Sequence, residues 1–264
     1  MRQSRIELFV LFMVVLLLVV PLFINMLNGD ESSEGDNESS GQEEKNENDS
    51  DNIAVEWGVD SASYTTSDML ACVNDNFGDP KVWGRYLGEI DGVSEPLDEE
   101  EVEYLHENDI KILVIYNLVT DATGYDHGAE HAEQAIEMAE QLDIPEGVAL
   151  FVDIEPDFPV DSSFMEGWYE VVNDSQYEPA VYGVFNEGSE LSDSFLQMDE
   201  EIQSNLIVWT AYPQEGITTE EEAPNYEPEA PESAQVIGWQ YGLDAEACNI
   251  DTNLFNEEML DYLW

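Results

Sequence analysis

The chain has 264 residues, with 61 acidic side chains against 6 Lys and Arg and a formal charge of -55. Its 43% hydrophobic and 11% aromatic content is enough for a full core, which excludes a disordered polyacid. Residues 53–264 hold 50 acids and only Lys81, Arg85 and Lys111, about 47 net negative charges, so a basic patch for nucleic acid or anionic lipid is excluded. Like charges in this number need screening, and near 1 M salt the Debye length is about 3 Å. A halophilic source follows, with a calcium-loaded acidic surface as the alternative.

Arg2 and Arg5 precede an apolar run from Leu8 to Ile24 that extends to Leu27. About 20 such residues span a bilayer, and the flanking charges keep the N-terminus inside. Residues 1–27 are therefore expected to form a membrane anchor, with a cleaved signal peptide as the alternative. In either case the remainder lies outside the cytoplasm. Residues 28–52 are Gly, Ser, Asn, Asp and Glu apart from Gln42 and Lys45, with no aromatic or β-branched residue, which reads as a self-repelling, disordered tether. Residues 53–264 form the folded domain.

From Ile53 strands and helices alternate. Val55-Glu-Trp-Gly-Val-Asp60 is a strand ending in an acid, and Thr66 or Ser67 can cap a helix to about Asn76. Lys81 to Leu87 is a second strand. Asp98 opens a helix to about Asn108, with its acids at the positive end of the dipole. Lys111 to Asn117 is a third strand, apolar on both faces. His127 to Leu142 spaces its alanines as a helix does. Ala149 to Val152 is a fourth, buried strand, and it runs into Asp153, Glu155 and Pro156. Strand alternation puts Asp153 and Glu155 on one face, at the strand's C-terminal end. Unpaired acids cost several kcal/mol to desolvate there. The alternative is a solvated loop just beyond the strand. A helix around Ser163–Val172 and a strand Ala180–Phe185 follow.

After that the pattern changes. Leu206–Tyr212 and Val236–Tyr241 are strands joined by an acidic, Pro-containing loop, Asn249–Asn253 holds a short eighth strand, and Leu254–Leu263 closes the chain as a helix. Five strand–helix units followed by three strands give eight strands, enough for a TIM-like α/β barrel with a parallel sheet. Chemistry in such barrels sits at the C-terminal ends of the strands. Two cysteines in an extracytoplasmic domain suggest a disulfide between Cys72 and Cys248, since first and last strands adjoin in a closed barrel.

Several stretches recur together in one order: Trp57-Gly-Val-Asp60, Phe151-Val-Asp-Ile-Glu155, Val181-Tyr-Gly183, Ile207 to Tyr212, Trp239-Gln-Tyr241 and Asp251-Thr-Asn253. This set resembles the family 25 glycoside hydrolases, the lysozyme-like muramidases. Val82 to Leu87 and Ile112 to Asn117 are more similar to their relatives, the extracellular glycoside-hydrolase-like domains of unknown function. The resemblance runs from about Val55 to Phe255. It implies an eight-stranded barrel, Glu155 as proton donor, and Asp153, Asp60 and Asp251 around the sugar. Glycoside cleavage needs one protonated acid at the leaving oxygen and a second carboxylate for the oxocarbenium-like centre, and crowded acids raise one another's pKa.

Other side chains are expected at the substrate. Arg85 offers its planar fork to a substrate carboxylate, or pairs with a barrel carboxylate as a structural ion pair. Tyr116, Trp209, Tyr212, Trp239 and Tyr241 lie at or near strand ends, where aromatic faces stack on sugars or simply fill the core. Asn117 and Tyr182 fall within the resembling stretches. His127 and His131 are i, i+4, but Gly128 follows His127 where a zincin helix needs its Glu. They are expected to be solvated, with no transition metal and no cofactor. The expected partner is a glycan. Two functions fit: a membrane-tethered glycan hydrolase, and a non-catalytic glycan-binding or envelope-organising domain on the same barrel.

Overall fold

The computed structural model of the chain describes residues 53–264. The expected anchor and tether, residues 1–52, lie outside them. Among the described residues no helix is long and apolar enough to cross a membrane.

Eight strands close a barrel in sequence order: β1 Val55–Asp60, β2 Val82–Tyr86, β3 Lys111–Tyr116, β4 Ala149–Ile154, β5 Glu178–Gly183, β6 Ile207–Thr210, β7 Gln235–Gly242 and β8 Asp251–Asn256. Between the first five strands run α1 Ser67–Asn76, α2 Glu99–Glu107, α3 Tyr125–Gln141 and α4 Ser162–Asn173. Two short helices, α5 Glu190–Phe195 and α6 Glu200–Gln203, link β5 to β6. Caps set the helix starts: Thr66, Asp98 and Asp161 each accept a backbone N–H from the first turn of α1, α2 and α4.

β1 to β7 are parallel, but β8 runs antiparallel to both β7 and β1. The parallel sheet expected from the strand–helix alternation is found, and the reversed β8 comes after that alternation has ended. Only residues 243–250 join β7 to β8, too few for the crossover of a dozen or more that a parallel neighbour requires. The consequence is local and large: β8 begins at the end of the barrel where β1 finishes, and Asp251 is in register with Asp60.

Alternation divides each strand between two cores. Leu113 and Ile115 of β3, and Ala149 and Phe151 of β4, face the barrel interior. Their neighbours Ile112, Val114, Leu150 and Val152 face the helices. The outer layer is closest where α3 meets α4. A Cβ on Gly128 would collide with the Phe164 carbonyl, and one on Gly167 with that of Tyr125. The expected C-terminal helix is replaced: Leu254 to Asn256 belong to β8, and Glu257–Tyr262 is a 3-10 helix. Leu263 then joins the interior cluster, while Trp264 exchanges backbone hydrogen bonds with Ile112.

Candidate functional site

The C-terminal end of the barrel gathers acids. Asp60 ends β1 with its side chain inward, room for it being made by Gly84, where a Cβ would lie 2.6 Å from that of Asp60. Its Oδ2 accepts from Asn253 Nδ2 at 2.7 Å and Gln240 Nε2 at 2.9 Å. Asp251 starts β8. Its Oδ2 accepts from the same Gln240 Nε2 at 3.3 Å, and its Oδ1 from the Asp244 backbone N–H at 2.6 Å. Asp153 comes from β4, with an Oδ1 that is buried and has no hydrogen-bond partner. Glu155, just past β4, is half-buried.

All four carboxyls are pushed above the ordinary carboxylate range, first by burial. Asp60 rises to about 6 against the opposing pull of Asn253 and Gln240. Asp251 rises to about 8, with the Asp60 charge adding to burial. Asp153 goes well above its usual value, with the charges of Glu155 and Asp60 adding, and Glu155 is raised with Asp157 and Asp60 adding. At neutral pH the cluster therefore holds protonated and ionised carboxyls side by side, the condition acid–base chemistry on a glycosidic bond requires. A recess of about 90 Å³ opens over Asp60 and Asp251 and is walled by Ser61, Asp244 and Asn249.

Three more residues belong to this end. Tyr86 is inward on β2, and its hydroxyl is held well above its usual pKa by burial and by the charges of Asp153, Asp60, Glu155 and Asp251. Gln240 accepts from Tyr182 Oη at 2.6 Å while donating to the two aspartates, and Asn253 accepts from Trp209 Nε1 at 2.9 Å. Tyr86, Gln240 and Asn253 escaped the sequence reading, although strict alternation from Asp251 points to Asn253. The structure places Tyr182 and Trp209 beneath the acids, with ring centroids 4.3 Å apart. Trp209 is 1% exposed, so it floors the site and offers no face to a sugar.

Arg85, Tyr116, Asn117, Trp239 and Tyr241 are bonded or packed outside the acidic cluster. Arg85 points outward into a fully buried ion pair with Glu101 of α2, Nε to Oε1 at 2.6 Å and Nη2 to Oε2 at 3.1 Å. It also donates to the carbonyls of Ser61 and Glu95, so it is a positioning residue for the backbone next to Asp60. Tyr116 lies under α3 against His131 and Trp168. Asn117 clamps the turn after β2, bonding Gly88 and Ser94. Trp239 and Tyr241 face the outer layer, Trp239 Nε1 donating to the Pro213 carbonyl and Tyr241 Oη accepting from Trp57 Nε1. A bulge explains their direction: Val236 and Gly238 pair with consecutive residues of β6, and the extra Ile237 leaves Gln240 facing inward. Tyr212 is half-buried just beyond β6. His127 and His131 are not solvated but half-buried and bonded to each other. Cys72 of α1 and Cys248 of the β7–β8 connection form a disulfide, Cα to Cα 5.7 Å.

The fold and the site together define a glycoside-hydrolase-type barrel with its carboxylates at the C-terminal end of the strands. The model of the Rv2525c-like, glycoside hydrolase-like domain matches residues 79–255, and the chain belongs to that family. An uncharacterized protein of B. stearothermophilus is 38% identical, with a TM-score of 0.76 over 79% of this chain and 99% of its own. The spore cortex lytic enzyme SleM of Clostridium perfringens, at 11% identity and a TM-score of 0.50, shares the fold over 79% of this chain and 69% of its own. The Tat-secreted protein Rv2525c of Mycobacterium tuberculosis aligns over 75% of this chain and 94% of its own, at 14% identity and a TM-score of 0.49. No curated protein matches the chain.

Proposed function

We propose that this is an extracytoplasmic glycoside-hydrolase-like protein, tethered by residues 1–27 through the acidic segment 28–52, whose barrel cleaves an envelope or environmental glycan. The observation that carries the reading is the meeting of Asp60, Asp153, Glu155 and Asp251 at one end of the barrel, each held toward its protonated form. Glu155, the most exposed of the β4 pair, acts as general acid at the leaving oxygen. Asp60, whose pKa rises to about 6 against about 8 for Asp251, supplies the charge facing the oxocarbenium-like centre, or orients a substrate acetamido group acting as nucleophile. Gln240 and Asn253 hold Asp60 in place, and Tyr182 holds Gln240.

The test is Glu155→Gln, assayed in molar KCl on chitooligosaccharide, murein and native envelope glycan. Loss of a general acid lowers the rate by roughly 10²–10⁴-fold. Activity that survives this change moves the proton donor elsewhere. A second reading, glycan binding without cleavage, is favoured by one observation: Asp60 and Asp153 are only 3% and 7% exposed. Binding by the unaltered protein with no product from any of the three glycans would decide for it.

A further inference from the structure

The residues that the acidic cluster leaves unused include a second constellation, on the outer layer. His127 and His131 sit one turn apart on α3, and their Nε2 atoms approach to 3.0 Å. Two protons cannot occupy that gap, so at least one of these nitrogens presents a lone pair to the other. Tyr116 decides which. Its hydroxyl donates to Gln134 Oε1 at 3.2 Å, so its oxygen is left to accept from His131 Nδ1 at 2.8 Å. With Nδ1 carrying the hydrogen, the His131 Nε2 is the lone pair. This is the outer-shell arrangement that fixes the tautomer and ring direction of a metal-binding histidine.

The rings are also inclined as two donors to one ion must be. Their centroids are 4.5 Å apart and their planes meet at 57°, closer than rings meeting head-on across a 3.0 Å hydrogen bond would stand. With metal–nitrogen bonds of about 2.0–2.1 Å, nitrogens at this separation subtend about 95° at a shared ion. That is short of the tetrahedral angle of about 109° that zinc prefers, and close to the right angle between neighbouring ligands of a tetragonal ion. Phe164 packs edge-on against His127 and at a tilt against His131, which limits their rotation.

We propose that His127 and His131 chelate a divalent ion of tetragonal preference, copper(II) or nickel(II), through their Nε2 atoms, with Tyr116 orienting His131. The ion replaces the proton shared between the two imidazoles. Among the described residues no group of three or more His, Cys, Asp and Glu is arranged to hold a metal, so water completes the coordination. The site clips the first turns of α3 to β3 and is independent of any hydrolysis at the barrel end.

The experiment is a copper(II) titration of the full-length chain in molar KCl, read by electron paramagnetic resonance. Two coupled nitrogens at one equivalent are expected. His131→Gln and, separately, His127→Gln should each remove one nitrogen and weaken binding at least tenfold. So acidic a surface also collects copper, and an oxygen-only spectrum in the unaltered chain would mean surface binding and overturn the proposal. A two-nitrogen spectrum that persists in His131→Gln would overturn it too. Should that variant fold poorly, His127→Gln gives the same readout without touching the contact to Tyr116.

Discussion

The Arg85–Glu101 pair allows a quantitative test of how this acidic domain holds its only arginine. Both side chains are fully buried, and Glu101 Oε1 also accepts the Thr65 backbone N–H at 2.6 Å. Glu101→Leu strands a guanidinium in the outer core, and Arg85→Leu strands a carboxylate there. Breaking a buried pair from one side costs roughly 3–5 kcal/mol. For a domain of this size 1 kcal/mol moves the melting temperature by roughly 2–4 °C, so each single change lowers it by roughly 6–20 °C. The double change removes both charges and leaves the Thr65 N–H and the Ser61 and Glu95 carbonyls without partners, at roughly 1 kcal/mol or more each. Its cost is thus about that of one single change, and the coupling energy is roughly 3–5 kcal/mol. Thermal melts of the four proteins at moderate and at saturating KCl measure it. Because water and ions do not reach the pair, the coupling is the same at both salt levels. Single effects that simply add, or a coupling that disappears in high salt, would refute a desolvated pair.

Three further outcomes are expected. Dilution from molar KCl to a salt-poor buffer should lower the melting temperature steeply, since about 47 like charges lose their screening; an unchanged melt removes the halophilic reading. Replacing Cys72 and Cys248 by Ser opens a loop of sequence separation 176, for which chain entropy allows up to about 5 kcal/mol; a melt equal to that of the parent would contradict this. Folding raises the pKa of Asp60 from 3.8 to about 6 and of Asp251 from 3.8 to about 8. The fold thus favours their protonated forms, and the stability they lend at low pH is lost as pH climbs through those values, about 3 kcal/mol for Asp60. Denaturant midpoints should fall from about pH 4 to about pH 8, and Asp251→Asn should flatten the upper part. A midpoint constant over that range speaks against the shifts.

The barrel was legible because its signals are local. Apolar runs alternating with capped, periodic helices mark the strand–helix units, and β1 and β4 visibly end in acids. The direction of β8 was not, because it depends on how few residues precede it and not on its own composition. That Asp60 and Asp153 meet at one end was legible from their places at strand ends. Asp251 was singled out only by the resemblance, since one acid among 61 carries no signal of its own. The site was not legible where a single residue step decides the face. In Trp239-Gln-Tyr241 the aromatics attract the eye, yet the bulge at Ile237 turns Gln240 inward. Arg85 finds its partner on a helix in the next layer, a pairing that no periodicity announces.

The reversed last strand also fixes when this site can come into being. Asp60 is among the first residues of the domain to be made, but its two donors, Gln240 and Asn253, follow 180 and 193 residues later. Contacts so remote form only after the intervening chain has been ordered. A growing chain that has not yet delivered its eighth strand thus has an Asp60 without an orienting amide from Asn253, and no Asp251 at all. The same holds for a finished chain clipped before residue 251. Joining the two ends of the domain is the last act of assembly, so a shortened or half-made molecule carries only part of the cluster.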